Sequence, residues 1–209
     1  LQSVNVSHEL IVVDDGSTDA TANVVNRFIS SGLLKLIRLA KHQGKGRAVR
    51  EGILQSTGAI RLFMDSDGSY SPETIEQCLN YFKEEHDLVA GSRFVAGAPS
   101  YEENGAKRAI RSLFGFFVRV LLGLEIKDTQ CGFKIFSGPA AVEIFGRASL
   151  NGFGMDLEVL YLAQKRGYRV KEAPISCRKR AGSKVHPLRD SVKLLVNMIQ
   201  IRLNHRSAG

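Results

Sequence analysis

Short apolar runs alternate with amphipathic stretches along most of the chain. Residues 9–13, 33–39, 60–64 and 88–90 have the length and the aliphatic content of buried strands. Between them, residues 20–29, 48–55 and 73–85 show the spacing of helices, the first with Ser17 or Thr18 placed to cap it and the third with Pro72 suited to its first turn. Strand, helix, strand, repeated in this way, predicts a mostly parallel sheet with crossover helices, with residues 60–64 as its central strand. Further on, residues 128–134 read as loop into strand, 140–145 and 156–165 as helices, and 168–177 as an edge strand. A last amphipathic helix carries Leu188, Val192, Leu195, Val196, Ile199 and Leu203. No linker or repeat divides the chain, so residues 1–209 are expected to form a single domain.

Chemistry collects where the strand runs stop. The run Ile60 to Met64 ends in Asp65-Ser66-Asp67-Gly68, which sets two carboxylates beside a turn that glycine permits. In an open α/β sheet ligands sit outside such strand ends. Hard cations such as Mg²⁺ or Mn²⁺ take one or two carboxylates together with substrate phosphates. Asp65 and Asp67 are therefore a candidate metal–diphosphate clamp, although taken alone they equally describe an acidic surface turn. The first strand ends similarly, in Asp14 and Asp15, which could accept hydrogen bonds from a base or ribose. Lys45 lies between two glycines and could reach a phosphate, but the pattern lacks the Gly-Lys-Ser/Thr of a P-loop. Arg180 and Lys184 flank a Gly-Ser pair in a basic loop that could bind a diphosphate or simply be solvated.

Composition narrows the partners. The 209 residues carry a net charge of +8, which favours polyanions: nucleotides, nucleic acid or an anionic membrane surface. The basic residues are spread out and no helix-turn-helix, zinc-finger or RNA-stacking signature is found, so nucleic acid is not expected as a partner. The cysteines Cys78, Cys131 and Cys177 are far apart, with no CxxC pair, and are expected to be reduced thiols. No uncharged apolar run is long enough to span a bilayer. Residues 107–124 predict an amphipathic helix with Ile110, Leu113, Phe114, Phe117, Leu121 and Leu124 on one face and Arg108, Arg111 and Arg119 opposite. Such a helix packs on the sheet or lies in a membrane interface.

The order of motifs carries more than any one of them. VVDDGSTD, KHQGKGRAV, DSD after an apolar strand, GSR, DTQCGFK, FGMDLEVLY and a basic GSK loop follow one another from about Glu9 to His205. In this the chain resembles the family 2 glycosyltransferases of the GT-A fold, in their polyprenyl-phosphate branch. The resemblance implies Asp14 or Asp15 at the nucleoside and Lys45 near the base or diphosphate. It implies Asp65 and Asp67 on a Mg²⁺ or Mn²⁺ ion and Arg180, Ser183 and Lys184 over the diphosphate. It also implies Arg93 facing an acceptor phosphate, Asp128 and Gln130 on the sugar side, and Asp156 as the acceptor-side carboxylate or base.

The activity implied is metal-dependent, inverting transfer of a hexose, glucose first, from a nucleoside-diphosphate sugar such as UDP-glucose to a polyprenyl or dolichyl phosphate. The place implied is the cytosolic face of a membrane, the endoplasmic reticulum or a bacterial or archaeal plasma membrane. The family opens with a Pro-Ala-Tyr-Asn-Glu-like strand and a helix, absent before VVDDGSTD here, so one edge of the nucleotide pocket is expected to be missing. With no Trp, the Gln-x-x-Arg-Trp motif of processive synthases is absent and a single transfer is expected. Rival readings are a non-catalytic nucleotide-sugar binding module, a transferase with a hydroxyl acceptor and a sugar-1-phosphate nucleotidyltransferase.

Overall fold

The structure, a computed structural model, describes residues 7–29, 34–82, 85–99, 101, 103–178 and 187–206. In chain order the elements are β1 (Leu10–Asp14), α1 (Thr21–Ile29), β2 (Leu34–Arg38), α2 (Lys45–Gln55), β3 (Ile60–Met64), α3 (Pro72–Phe82), β4 (Leu88–Ser92) and α4 (Gly105–Leu122). They continue with β5 (Phe133–Ser137), α5 (Gly138–Arg147), α6 (Met155–Lys165), β6 (Val170–Pro174) and α7 (Pro187–Asn204). The apolar runs thus become strands and the amphipathic stretches helices, with shifts of a few residues at their ends. One cap differs: α1 is entered through Asp19, whose Oδ1 accepts from Thr21 N at 2.9 Å, while Ser17 N turns back to Asp14 Oδ1.

The sheet is mixed, not mostly parallel. β1 and β2 pair parallel as a two-stranded ribbon, and β3-β5-β4-β6 form a four-stranded sheet in that order. β4 and β6 are parallel, but β5 runs against both β3 and β4. A crossover helix returns the chain to the far end of the sheet and yields a parallel strand. Here α4 and the polar segment after it bring the chain back to the end where β4 stopped, so β5 enters from there. The start of β5 therefore lies at the finish of β3 and β4. Asp65 N donates to Gly132 O at 2.9 Å across this junction.

β3 is also not the central strand. Among the described residues it pairs on one side only, and Ile60 and Met64 are exposed. β4, inside the sheet, is buried at all five positions. Alternation along β5 assigns its side chains to two cores. Phe133 and Ile135 pack with Tyr70, Ile75, Cys78 and Val89 on the α3 side. Phe136 packs on the other side with Leu88, Phe145 and Leu160, beneath α5 and α6. Each such fully buried side chain stabilises the fold by about 1.5–3 kcal/mol. Lys134 shares the Phe136 face and is as buried as its neighbours.

Helix α4 is turned differently from the expectation. Its Phe114, Phe117, Val118, Leu121 and Leu122 pack on the core. Leu113 and Phe116 are exposed, as are Ile110 and Val120. Asn104 caps its start by accepting from Lys107 N, and Gly123, at φ 69°, ends it in the left-handed conformation. Helix α7 lies beside α4, and Arg202 Nη1 donates to Leu121 O at 2.9 Å.

The first turn of α2 presses on the segment before α6. A Cβ on Gly46 would lie 2.4 Å from Leu150 O and 2.8 Å from Met155 Cβ. Gly46→Ala is expected to cost about 1–3 kcal/mol by overpacking, read as a lower denaturation midpoint in urea with an unchanged slope.

Candidate active site

Asp65 follows the last residue of β3, and the turn after it is completed by Gly68 at φ 73°. Its Oδ1 is 3.0 Å from Lys45 Nζ, and its carboxylate lies directly against Gly132, where a Cβ would come within 2.0 Å of Oδ2. Lys45 opens α2 and also reaches Asp156 Oδ2, at 3.0 Å. Asp156, in the first turn of α6, is 1% exposed, and its Oδ1 is 2.6 Å from Lys134 Nζ. The result is a row of alternating charges, Asp65, Lys45, Asp156, Lys134, drawn from β3, α2, α6 and β5. The row also ends on the backbone, since Lys134 Nζ donates to Cys131 O at 2.7 Å.

The charges set one another's protonation. Burial by itself would raise the Asp156 pKa, but the ammonium groups of Lys134 and Lys45 outweigh it and hold the carboxyl below the ordinary range. For Lys45, burial opposes the charge and the carboxylates of Asp156 and Asp65 overcome it, so its pKa is raised. Asp156 is thus an ion-paired group whose charged form the two lysines favour. The family resemblance gives it as the acceptor-side carboxylate or base; here both of its oxygens are engaged by lysines.

The other predicted residues divide by location. Asp15 accepts from the backbone amides of Gln43 and Gly44, both at 2.8 Å, and pairs with His42 Nδ1 at 2.8 Å. It therefore ties the end of β1 to the loop that carries Lys45. Asp14 is buried; its pKa is lowered by hydrogen bonds from Ser17, and Arg38 Nε lies 3.2 Å from its Oδ2. Its ion-pair partner Arg38 is itself exposed. Asp67 stands exposed on the turn, where Oδ1 accepts from Ser69 N at 2.9 Å. Arg180, Ser183 and Lys184 lie outside the described residues.

Arg93 and Asp128 form a second unit. The guanidinium grips the carboxylate through Nε at 2.7 Å and Nη2 at 2.8 Å, and Arg93 N donates to the same group. Glu172 of β6 fixes that loop in turn by accepting from the amides of Lys127 and Asp128. Arg93, Tyr101, Arg111, Phe114, Asp128 and Gln130 line a cavity of about 160 Å³. Arg111 lies 4.1 Å over the Phe94 ring and pairs with Glu103. Among the described residues Gln130 Nε2 is buried without a hydrogen-bond partner. The loop from Asp128 to Gly132 has this cavity on one side and Asp65 on the other.

Two participants went unread in the sequence. Lys134 is one; its signal is a lysine inside the apolar run Phe133 to Phe136, which burial can tolerate only with an acid partner. Glu158 is the other. Fully buried, it accepts from the amides of Ser149 and Leu150 and meets His205 Nε2 at 2.8 Å. This holds the loop whose Asn151 carbonyl accepts from Arg47 N and packs against Gly44.

Asp65 and Asp67, two residues apart on one turn, carry carboxylate oxygens of the kind a hard divalent cation takes. Among the described residues no third acidic, histidine or cysteine side chain joins them, so phosphate oxygens of a bound ligand would complete the set.

Three comparisons bear on these geometries. The family model "Glycosyl transferase family 2" matches residues 3–145, and the chain belongs to that family. It is 33% identical over 213 residues to a dolichyl-phosphate beta-glucosyltransferase of Dictyostelium discoideum, covering 98% of this chain and 65% of that protein. With the Homo sapiens protein of the same name the identity is 32% over 209 residues, covering 95% and 64%. The chain thus spans just under two thirds of the length of these curated relatives. Among solved structures, glucosyl-3-phosphoglycerate synthase from Mycobacterium tuberculosis, crystallised with Mn²⁺, UDP and glucosyl-3-phosphoglycerate, has a TM-score of 0.66 at 21% identity, over 92% of this chain and 68% of that one. Mannosyl-3-phosphoglycerate synthase from Rubrobacter xylanophilus has a TM-score of 0.67 at 19% identity, over 96% and 64%. The fold is of the GT-A type expected, a mixed sheet flanked by helices.

Removing the Asp156 charge would leave Lys134 buried without a counter-ion. Asp156→Asn should therefore cost about 3–5 kcal/mol in chemical denaturation. Since the folded-state pKa of Asp156 is depressed, its contribution is full above the unfolded value of about 3.9 and is lost as pH falls below it. The stability gap between wild type and Asp156→Asn should accordingly shrink on acidification through that range.

Proposed function

We propose that this chain carries the catalytic domain of an inverting glycosyltransferase that moves a hexose, glucose in the first instance, from a nucleoside-diphosphate sugar such as UDP-glucose to a polyprenyl or dolichyl phosphate. The observation that carries this reading is the cavity behind Arg93. It joins two arginines and an unpartnered Gln130 amide donor to aromatic and aliphatic walls, one loop away from the carboxylates at the end of β3. Such walls suit a phosphate that bears an apolar tail. The relatives of 32–33% identity, named dolichyl-phosphate beta-glucosyltransferases, point to the same acceptor.

The chemistry asked of the protein is electrostatic. Lys45 lies where it can face a departing diphosphate, and Arg180, Ser183 and Lys184 are assigned to the same group by the family resemblance. A divalent ion held by Asp65 and Asp67 would supply Lewis-acid neutralisation of that leaving group. Arg93, held in the fork of Asp128, would orient the acceptor phosphate, with Gln130 donating to it or to the sugar. A phosphate monoester has a second pKa of about 6 and is largely a dianion at neutral pH. It attacks the anomeric carbon without surrendering a proton first. That agrees with an Asp156 that is buried and ion-paired. A hydroxyl acceptor would need a base, which disfavours that alternative.

A lipid acceptor puts the reaction at a membrane, on the cytosolic side where nucleotide sugars are made available to such an enzyme. Among the described residues no helix is long and apolar enough to cross a bilayer. The expected interface helix is better read as a pair. Leu113, Phe116 and Val120 of α4 and Val196, Ile199 and Leu203 of α7 are exposed. Helix α4 carries Lys107, Arg108, Arg111 and Arg119 and no acidic residue. Apolar stripes amid basic residues suit an anionic lipid surface.

Full-length protein incubated with nucleoside-diphosphate sugars, polyprenyl phosphate and Mg²⁺ or Mn²⁺ should form the glycosyl lipid phosphate with UDP-glucose preferred, and Asp67→Ala should lower turnover by at least a hundredfold. Product formation that Asp67→Ala leaves untouched, or none with any donor, would return the binding-module reading. For the surface, Phe116→Glu/Ile199→Glu should lose co-sedimentation with anionic vesicles while keeping activity on a short, water-soluble isoprenoid phosphate. Unchanged sedimentation would remove the two-helix surface from the account.

A further inference from the structure

The row of charges at the end of β3 has a member whose ion pair with Asp65 the proposed reaction does not explain. Lys45 Nζ sits at 3.0 Å from Asp65 Oδ1, one of the two carboxylates that would hold a divalent cation. An ammonium group and a divalent ion cannot share that oxygen without strong repulsion, because both are positive and the separation would be a few ångströms. The loop around Lys45 is held firmly. Asp15 binds the amides of Gln43 and Gly44, Arg47 N donates to Asn151 O, and Gly44 and Gly46 press on the backbone of Asn151 and Leu150. Only the side chain beyond this anchored backbone is left to move.

The two lysines on Asp156 are not equivalent. Lys134 is 0% exposed and bonds a backbone carbonyl besides Oδ1 of Asp156, whereas Lys45 is 18% exposed and takes the other oxygen. If Lys45 withdrew, Asp156 would keep a buried ion pair, so its departure strands no charge in the core. Asp65 is more open, with 38% of its side chain exposed, and it would gain the incoming cation in exchange.

We propose that Lys45 is an internal counter-cation of the metal site. With no donor bound it holds Asp65 and withholds that carboxylate from a divalent ion. A nucleoside diphosphate offers the ammonium new anionic oxygens, Lys45 transfers to them, and metal and nucleotide enter as a pair. The proposal rests on Asp65 and Asp67 as the metal carboxylates. It requires that metal and nucleotide raise each other's affinity, since the coupling is reciprocal.

The test is Mn²⁺ binding to the full-length protein by electron paramagnetic resonance, with and without UDP, in wild type, Lys45→Met and Asp67→Ala. Removing one nearby positive charge should tighten the binding of Mn²⁺ alone by roughly tenfold or more. UDP should strengthen Mn²⁺ binding markedly in wild type and much less in Lys45→Met. Equal affinity of wild type and Lys45→Met for Mn²⁺ alone would overturn the proposal while leaving the metal site standing. Absence of bound Mn²⁺ under every condition, or binding with UDP that Asp67→Ala does not weaken, would remove the metal site and the proposal with it. Should Lys45→Met fail to fold by circular dichroism, wild type alone decides: Mn²⁺ binding as tight without UDP as with it overturns the idea.

Discussion

A carboxylate with almost no exposure, caught between two ammonium groups, organises this molecule. Desolvating Asp156 is costly, and it is tolerated because Lys134 comes from the sheet beneath and Lys45 from the helix beside it. The geometry of that pairing makes demands on every element nearby. β5 must run antiparallel, so that its second residue lies under α6. The first turn of α2 must press on the segment before α6, which excludes a side chain at position 46. The candidate donor site is what remains on the open side of this knot, with Asp65 as its last ionic member.

The same logic separates two chemistries that one loop might otherwise confuse. Residues 128–132 turn one flank to Asp65 and the other to the Arg93 cavity. On one flank Lys45 is paired with Asp65 and Asp156, and on the other Arg93 is paired with Asp128.

Much of this was legible in the sequence where local pattern controls the outcome. Strand ends were marked by acids after apolar runs, and Asp65, Lys45 and Asp156 were all singled out from their motifs. What could not be read was the pairing. Asp156 and Lys134 are 22 residues apart, Arg93 and Asp128 35, and no local rule links them. The strand direction of β5 was missed because alternating helix and strand ordinarily signals a parallel crossover, while the decisive feature is which end of the sheet the segment after α4 reaches. The face of α4 was misjudged for a related reason. Phe114, Phe117 and Leu121 do face the core as the periodicity predicts, but Ile110 and Leu113 are exposed and Val118 and Leu122 are buried in their stead, a rotation that only contact with the core decides.

The Glu158–His205 contact gives the far end of the chain a say in all this. Glu158 steadies Ser149 and Leu150, and the next residue, Asn151, offers its carbonyl to the turn that begins α2. His205 therefore stands three hydrogen bonds from the Arg47 backbone in the first turn of α2, though 158 positions separate them in the chain. The tail of α7 is consequently a poor place to trim or to fuse a tag. A version cut back before that histidine would fold around an acid missing a neighbour, and the slack would be felt at the turn that begins α2.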